Sequence, residues 1–219
     1  MEADGKSSQK AKYKVAKIVV LGDAAVGKTC LIDRFANDNF SDNYMPTIGI
    51  DFVVQELIVD DYHYLRLHVW DTAGSEKFDA VARPYYRSAD GAAIVYDLTN
   101  RQSFLRVNHW LDILGENCVD KKVSKILIGN KKDLCKDGDG AEHTKKRRVT
   151  TNEAEMLAAN EKLKCFEVSA LTGENVQEAF FFLAKMVLKN GQLNDWSPPR
   201  LHMAADDQTA APKSSRCFC

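Results

Sequence analysis

Gly22-Asp23-Ala24-Ala25-Val26-Gly27-Lys28-Thr29 stands between an apolar run, Val15 to Leu21, and the segment Cys30-Leu31-Ile32-Asp33-Arg34-Phe35. The first flank reads as a buried strand, and the second, with its leucine, isoleucine and phenylalanine, suits a helix. Strand, glycine loop and helix in that order are the setting a phosphate-binding loop requires. Gly22 and Gly27 let the backbone curl so that successive N–H groups point inward, and the start of the helix adds its positive dipole end. Lys28 then reaches the outer phosphates, and the Thr29 hydroxyl is placed to hold Mg²⁺. The stretch expected to line a polyphosphate is therefore Gly22, Asp23, Ala24, Ala25, Val26, Gly27, Lys28, Thr29 and Cys30.

Composition limits what surrounds this loop. A chain of 219 residues, 45% hydrophobic, can bury one core and carry a tail. A net charge of −1 gives no global attraction to nucleic acid or to an anionic membrane, so no nucleic-acid partner is expected. The start of the chain, Met1 to Lys14, has neither the apolar centre of a signal peptide nor Gly at position 2 for myristoylation, so a cytosolic chain is expected. In that compartment Cys30, Cys118, Cys135 and Cys165 read as reduced thiols. No apolar run reaches the roughly 18 residues of a membrane-spanning helix.

Read in order, Ala36 to Gly49 is a polar loop too long for a simple connection, which marks it as functional. Ile50 to Val59 and Tyr62 to Trp70 form a hairpin around Asp60-Asp61. Ser75 to Asp90 is a loop with some helix, and Gly91 to Tyr96 a short strand. Phe104, Val107, Leu111 and Leu114 predict one amphipathic helix over Ser103 to Leu114. Ile126 to Ile128 is the heart of a strand, and Cys135 to Arg148 a surface loop whose basic end, Lys145-Lys146-Arg147-Arg148, is solvated or available to acidic lipid. Thr151 is expected to cap the next helix; Lys164 to Val168 is a last strand. Asn175 with Glu178 makes a capping-box-like start for a final helix. Beyond about Asn190 the composition is that of a disordered linker. This alternation predicts an α/β sheet covered on both faces, with the hairpin supplying an antiparallel strand. Ligands of such sheets bind at the carboxyl ends of the strands, where Gly22, Asp71 and Asn130 all fall.

Asp71, opening Asp71-Thr72-Ala73-Gly74, is placed to hold the Mg²⁺ shell, and the Gly74 N–H to meet a γ-phosphate. Asn130-Lys131-Lys132-Asp133 selects the base: a carboxylate at Asp133 accepts from both the N1–H and the 2-amine of guanine, a donor pair adenine lacks. Lys131 lays its stem on the ring and Asn130 fixes the loop, with Ser169-Ala170 downstream. An ATP-using kinase or transport ATPase is disfavoured by that tetrapeptide.

These motifs, with Thr47 in Pro46-Thr47-Ile48-Gly49-Ile50-Asp51-Phe52, Trp70-Asp71-Thr72-Ala73-Gly74, Tyr85-Tyr86-Arg87 and the ending Cys217-Phe218-Cys219, resemble the Ras superfamily of small GTPases and, within it, the Rab family, over Val15 to about Lys189. The resemblance implies a P-loop small G-domain: a six-stranded, mostly parallel sheet with one antiparallel strand and helices on both faces. It divides the chain into a flexible extension (1–14), a GTPase domain (15–190) and a hypervariable tail (191–219). It implies GTP or GDP with Mg²⁺, held by Thr29, Thr47 and Asp71. Phe40 would stack on guanine, Tyr44 would lie beside the nucleotide, and Ala170, next to Ser169 and Leu171, would offer its N–H to the guanine carbonyl. Lys28, Thr47, Gly74 and Ser75 would serve hydrolysis. Ile48, Gly49, Phe52, Trp70 and Tyr85 would face effectors. Cys217 and Cys219 would carry two geranylgeranyl groups, which anchor where one chain binds only marginally. The implied partners are an exchange factor, a TBC-type GAP, effectors of the GTP state, Rab escort protein and GDI, on the cytoplasmic face of an internal membrane.

Two departures from the family pattern matter. Ser75 stands where the family usually has the Gln that positions the attacking water, which predicts slow intrinsic hydrolysis and leaves open a constitutively GTP-bound recruitment module. Ala24 and Ala25 replace residues that are often Ser or Gly, and Gly. Both are small, so nucleotide binding is expected to survive, but Ala25 must accept whatever backbone angle the loop demands.

Overall fold

In the computed structural model, which describes residues 12–41, 47, 50–72, 74, 79–119 (backbone alone for 79–82), 121–135, 147–191 and 193–196, the apolar run before the glycine loop is the inner part of β1 (Lys12–Leu21). Ile18 and Val20 enter one core, Val19 and Leu21 the other, all fully buried. The same division holds in β4 (Gly91–Asp97), with Ala93 and Val95 opposed to Ala92 and Ile94, and in β5 (Ser124–Asn130), with Ile126 and Ile128 opposed to Leu127. A strand covered on both faces has no solvent side to make polar, which is why these runs do not alternate. α1 (Lys28–Asn37) and α6 (Val176–Asn190) cover the first face, with Phe35 stacked on Phe180 at 4.4 Å. α3 (Arg101–Leu105), α4 (Val107–Asn117) and α5 (Thr151–Asn160) cover the second, around Trp110, and Tyr86 of α2 (Asp79–Tyr86) joins that core.

The strand order is β2 (Ile50–Asp60), β3 (His63–Thr72), β1, β4, β5, β6 (Lys164–Glu167). Only β2, antiparallel to β3, departs from the parallel direction along this path. The hairpin turns where the Asp60 carboxylate accepts the N–H groups of Tyr62 and His63. Gly22 and Ser169 follow the carboxyl ends of β1 and β6, and Asn130 and Asp71 lie at those of β5 and β3, so the motifs share one edge.

Several local expectations are corrected. β1 begins at Lys12, because its first residues pair with β3 from His63 onward, a tertiary contact that the apolar run alone does not reveal. The single helix expected over Ser103 to Leu114 is two, joined at Arg106 (φ −86, ψ 0), with Asn100 capping α3 by accepting from Gln102 and Ser103. Thr150, not Thr151, caps α5 in a full capping box with Glu153. Asn175 does not cap α6: its backbone is left-handed (φ 58) and its side chain donates to the Glu167 carbonyl. The stretch after Asn190, expected as a linker, includes β7 (Asn194–Asp195), antiparallel to Lys14 and Val15. β4 meets β1 only from Ile18 onward, so the earlier part of that edge needs a partner, and β7 covers it. The Trp196 N–H donates to Tyr13 at 2.9 Å, and its indole lies between the Tyr13 ring and the Arg66 guanidinium.

The basic cluster is also redistributed. Lys145 and Lys146 lie outside the described residues, but Arg147 points inward and forms a two-pronged pair with Glu167 at 2.8 Å on each prong. Thr151 donates to the same carboxylate at 2.9 Å. The Arg147 bonds hold the Glu167 carboxyl below the usual glutamate range, so its stabilising effect is full above the unfolded-state value and lost as pH falls through the folded one. Glu167→Gln, which strands Arg147, is expected to cost about 1–3 kcal/mol at neutral pH. The gap in melting temperature to wild type should close as pH falls below about 4.5. Thermal melts from pH 3 to 7 check this; a gap independent of pH contradicts it.

Candidate nucleotide site

The glycine loop owes its shape to close approaches. Gly27 (φ 95) sits against the Asn130 side chain, and a Cβ there would run into Nδ2. Gly74 lies directly on the loop, where a Cβ would strike the main chain of Asp23 and Ala24 and the Lys28 ammonium. Ala25 takes the left-handed conformation (φ 62) that suits glycine, at a cost of roughly 1 kcal/mol. No side chain caps α1, so its first N–H groups remain for a ligand. The Lys28 ammonium donates to the carbonyls of Gly22 and Asp23, both at 2.9 Å. Burial pushes Lys28 down to about 8 despite the carboxylates of Asp71 and Asp23. A desolvated ammonium on an inward-facing loop is a site for an anion.

Beside it three oxygens converge. Thr29 Oγ1 donates to Asp71 Oδ2 at 2.6 Å and lies 3.0 Å from Thr47 Oγ1, which is itself 3.3 Å from Asp71 Oδ2. The other carboxylate oxygen, Oδ1, is buried without a partner, and burial raises the Asp71 pKa. Two hydroxyls and a carboxylate with an oxygen to spare suit a hard divalent cation. Among the described residues no group of three His, Cys, Asp or Glu forms a complete cage, and Mg²⁺ characteristically takes few protein oxygens alongside substrate phosphates and water.

The base-reading loops are fastened to this centre. Asn130 Nδ2 donates to the Val26 carbonyl at 2.9 Å, while its Oδ1 accepts the Ala170 N–H at 3.2 Å. The Ala170 amide, expected on the guanine carbonyl, thus has Asn130 as its partner here. Lys131 (φ 67) donates to the Ala25 carbonyl and pairs with Asp97, both at 2.8 Å, spanning the gap between glycine loop and base loop. Asp133 lies in a short 3₁₀ turn, Lys132–Cys135, and accepts the Ser169 hydroxyl at 2.5 Å, which orients one oxygen and leaves the other. Phe40 packs half-buried against the first core, and Cys30, in the first turn of α1, packs there too. Leu171 is 45% exposed, with its carbonyl held from the side.

Phe52 and Trp70 face each other across the hairpin and stack at 5.0 Å; Tyr85 follows at 5.3 Å from Trp70. Phe52 and Tyr85 are exposed, and the Lys17 ammonium lies over the Trp70 ring. Tyr44, Ile48, Gly49, Ser75, Cys217 and Cys219 lie outside the described residues.

Three residues that sequence reasoning passed over touch the site. Arg34 donates to the carbonyls of Ala170 and Leu171 at 2.9 and 2.8 Å, holding the last loop in place. Arg106 forms an ion pair with Asp23 Oδ1 at 3.1 Å, and the Trp110 indole N–H donates to the same oxygen at 2.9 Å. Nothing local signals either role, since each partner is distant in the chain; only the need of a buried indole N–H for an acceptor pointed to some polar contact for Trp110.

A family model described as the Ras family matches residues 17–189. The Ras-related protein Rab-13 of Rattus norvegicus is 41% identical over 183 residues, 83% of this chain and 85% of that protein. Rab-4A of Mus musculus is 36% identical over 215 residues, 93% and 94% of the two chains. RABE1e of Arabidopsis thaliana is 35% identical over 201 residues, 91% and 88%. A likeness that spans nearly the whole of each relative and runs through every loop of the phosphate, cation and base sites places this chain in the Rab family of small GTPases, enzymes that hydrolyse GTP.

Proposed function

We propose that this GTPase is a membrane-borne switch in vesicle trafficking that retains GTP longer than its relatives because Ser75 occupies the water-positioning place. The observation that carries the reading is the packing of Gly74 on Asp23, Ala24 and Lys28. In the sequence Ser75 directly follows Gly74, the residue proposed to meet the outermost phosphate. On nucleotide entry Lys28 exchanges two backbone carbonyls for phosphate oxygens, and the N–H groups at the start of α1 turn to the same anion. Thr29, Asp71 and Thr47 hold Mg²⁺, which when bound neutralises phosphate charge. Asp133 reads the base. Thr47 and the Gly74 N–H are the contacts a γ-phosphate pins and hydrolysis releases, so the surface around Phe52, Trp70 and Tyr85, with Ile48 and Gly49, is presented to effectors in the GTP state.

Prenyl groups on Cys217 and Cys219 supply attachment, with escort protein and GDI handling the lipid, an exchange factor loading GTP and a TBC-type GAP completing the site in trans. Cys217→Ser with Cys219→Ser is expected to move the protein from the membrane pellet to the cytosol, lowering membrane recovery by at least about tenfold on the two-chain rule. Fractionation of cells expressing each form tests this, and unchanged membrane recovery refutes the anchor. Ser75 also favours a second reading, a module that rests in the GTP state and seldom turns over. Protein purified from its own cells separates them: mixed GDP and GTP supports the switch, GTP alone the module.

A further inference from the structure

We infer that Arg106 is a positioning residue for nucleotide retention, acting through the carboxylate of Asp23 to hold the turn Asp23-Ala24-Ala25 and to cancel its negative charge. The joint between α3 and α4 falls on Arg106 itself, and its Nε forms an ion pair with Asp23 Oδ1 at 3.1 Å. The same oxygen receives the indole N–H of the fully buried Trp110 at 2.9 Å. Asp23 is also where the other moving parts meet: its carbonyl accepts the Lys28 ammonium, and Gly74 packs on its carbonyl carbon. Two residues on, Ala25 is held at φ 62, with Lys131 on its carbonyl and Asn130 on that of Val26. A turn in a conformation that alanine resists keeps its shape through such external fastenings. Asp23 brings a second difficulty, because a carboxylate in a polyphosphate cradle repels the ligand. Trp110 supplies a hydrogen bond to it but no charge. Arg106 supplies the charge, and its side chain, 40% exposed, can be changed without opening the core.

The test is dissociation of a fluorescent GDP analogue, in Mg²⁺ with excess GDP, from full-length wild type, Arg106→Ala, Arg106→Lys, Asp23→Asn and the double variant Asp23→Asn with Arg106→Ala. Circular dichroism and thermal melts check folding. Arg106→Ala should release nucleotide about tenfold faster, 1.4 kcal/mol on the usual conversion. Arg106→Lys should recover to within about threefold, since the charge is restored as a point ammonium without the planar guanidinium. In the Asp23→Asn background, removing Arg106 should change the rate by less than about twofold, the coupling that a shared contact requires. A purely structural Arg106 would cost the same in either background. An unchanged rate in Arg106→Ala, no recovery in Arg106→Lys, or the full tenfold effect in the Asp23→Asn background would each overturn the inference. Analogue binding by wild type tests the nucleotide site itself, separately from these ratios.

Discussion

Asp133→Asn is expected to weaken GTP binding by about 10²–10⁴-fold and to raise the affinity for xanthosine triphosphate above that for GTP. On the proposed reading, the Asp133 carboxylate would accept two hydrogen bonds from guanine, from the N1–H and the 2-amine. Each charge-assisted bond contributes about 1.5–3 kcal/mol, and both are compromised when an amide with its own donor takes the place. Xanthine carries a carbonyl where guanine has the amine, so the asparagine N–H gains an acceptor that guanine does not offer. The surroundings favour a clean exchange: Ser169 can donate to the asparagine carbonyl as it does to the carboxylate at 2.5 Å, and the 3₁₀ turn is unaffected. Competition of each triphosphate against a fluorescent guanine nucleotide measures the switch. Undiminished GTP binding in the variant would mean that the base is read elsewhere.

Ser75→Gln is expected to accelerate intrinsic GTP hydrolysis by about 10–100-fold with little change in nucleotide affinity. The serine side chain reaches about 2.5 Å less far than glutamine, at roughly 1.3 Å for each methylene. Misplacement of a reacting group by about 1 Å can cost 100-fold in rate, so a hydroxyl set back by this distance orients water poorly. Affinity should hold, because the groups proposed to grip the nucleotide have fastenings of their own: Lys28 on the Gly22 carbonyl, Thr29 on Asp71, and Asn130 on the Val26 carbonyl. A GAP that brings its own Gln and Arg would act on the serine form and gain less from the glutamine form.

What the sequence made legible was local or periodic. The glycine spacing of the phosphate loop, the acid at the end of β3 and the tetrapeptide after β5 are read within a few residues. The doubly buried strands announce themselves by runs without alternation, and the hairpin by its paired aspartates. What was not legible was decided across the chain. β7 is two residues long and exists because β4 leaves part of the β1 edge uncovered. The break at Arg106 has no proline or glycine to mark it, and accompanies a contact to Asp23 from a different part of the fold. Asn175 fits a capping pattern in sequence, yet a left-handed backbone turns its side chain to Glu167. Arg147 reads as one charge among four, and only β6 supplies the carboxylate that draws it inward.

The central claim is that Ser75 sets the lifetime of the GTP state. Single-turnover hydrolysis of GTP by wild type and by Ser75→Gln, without any GAP and at saturating Mg²⁺, tests it most directly. A wild-type rate about ten or more times slower than the variant's, with equal GTP affinity, is the predicted result. Equal rates would contradict it.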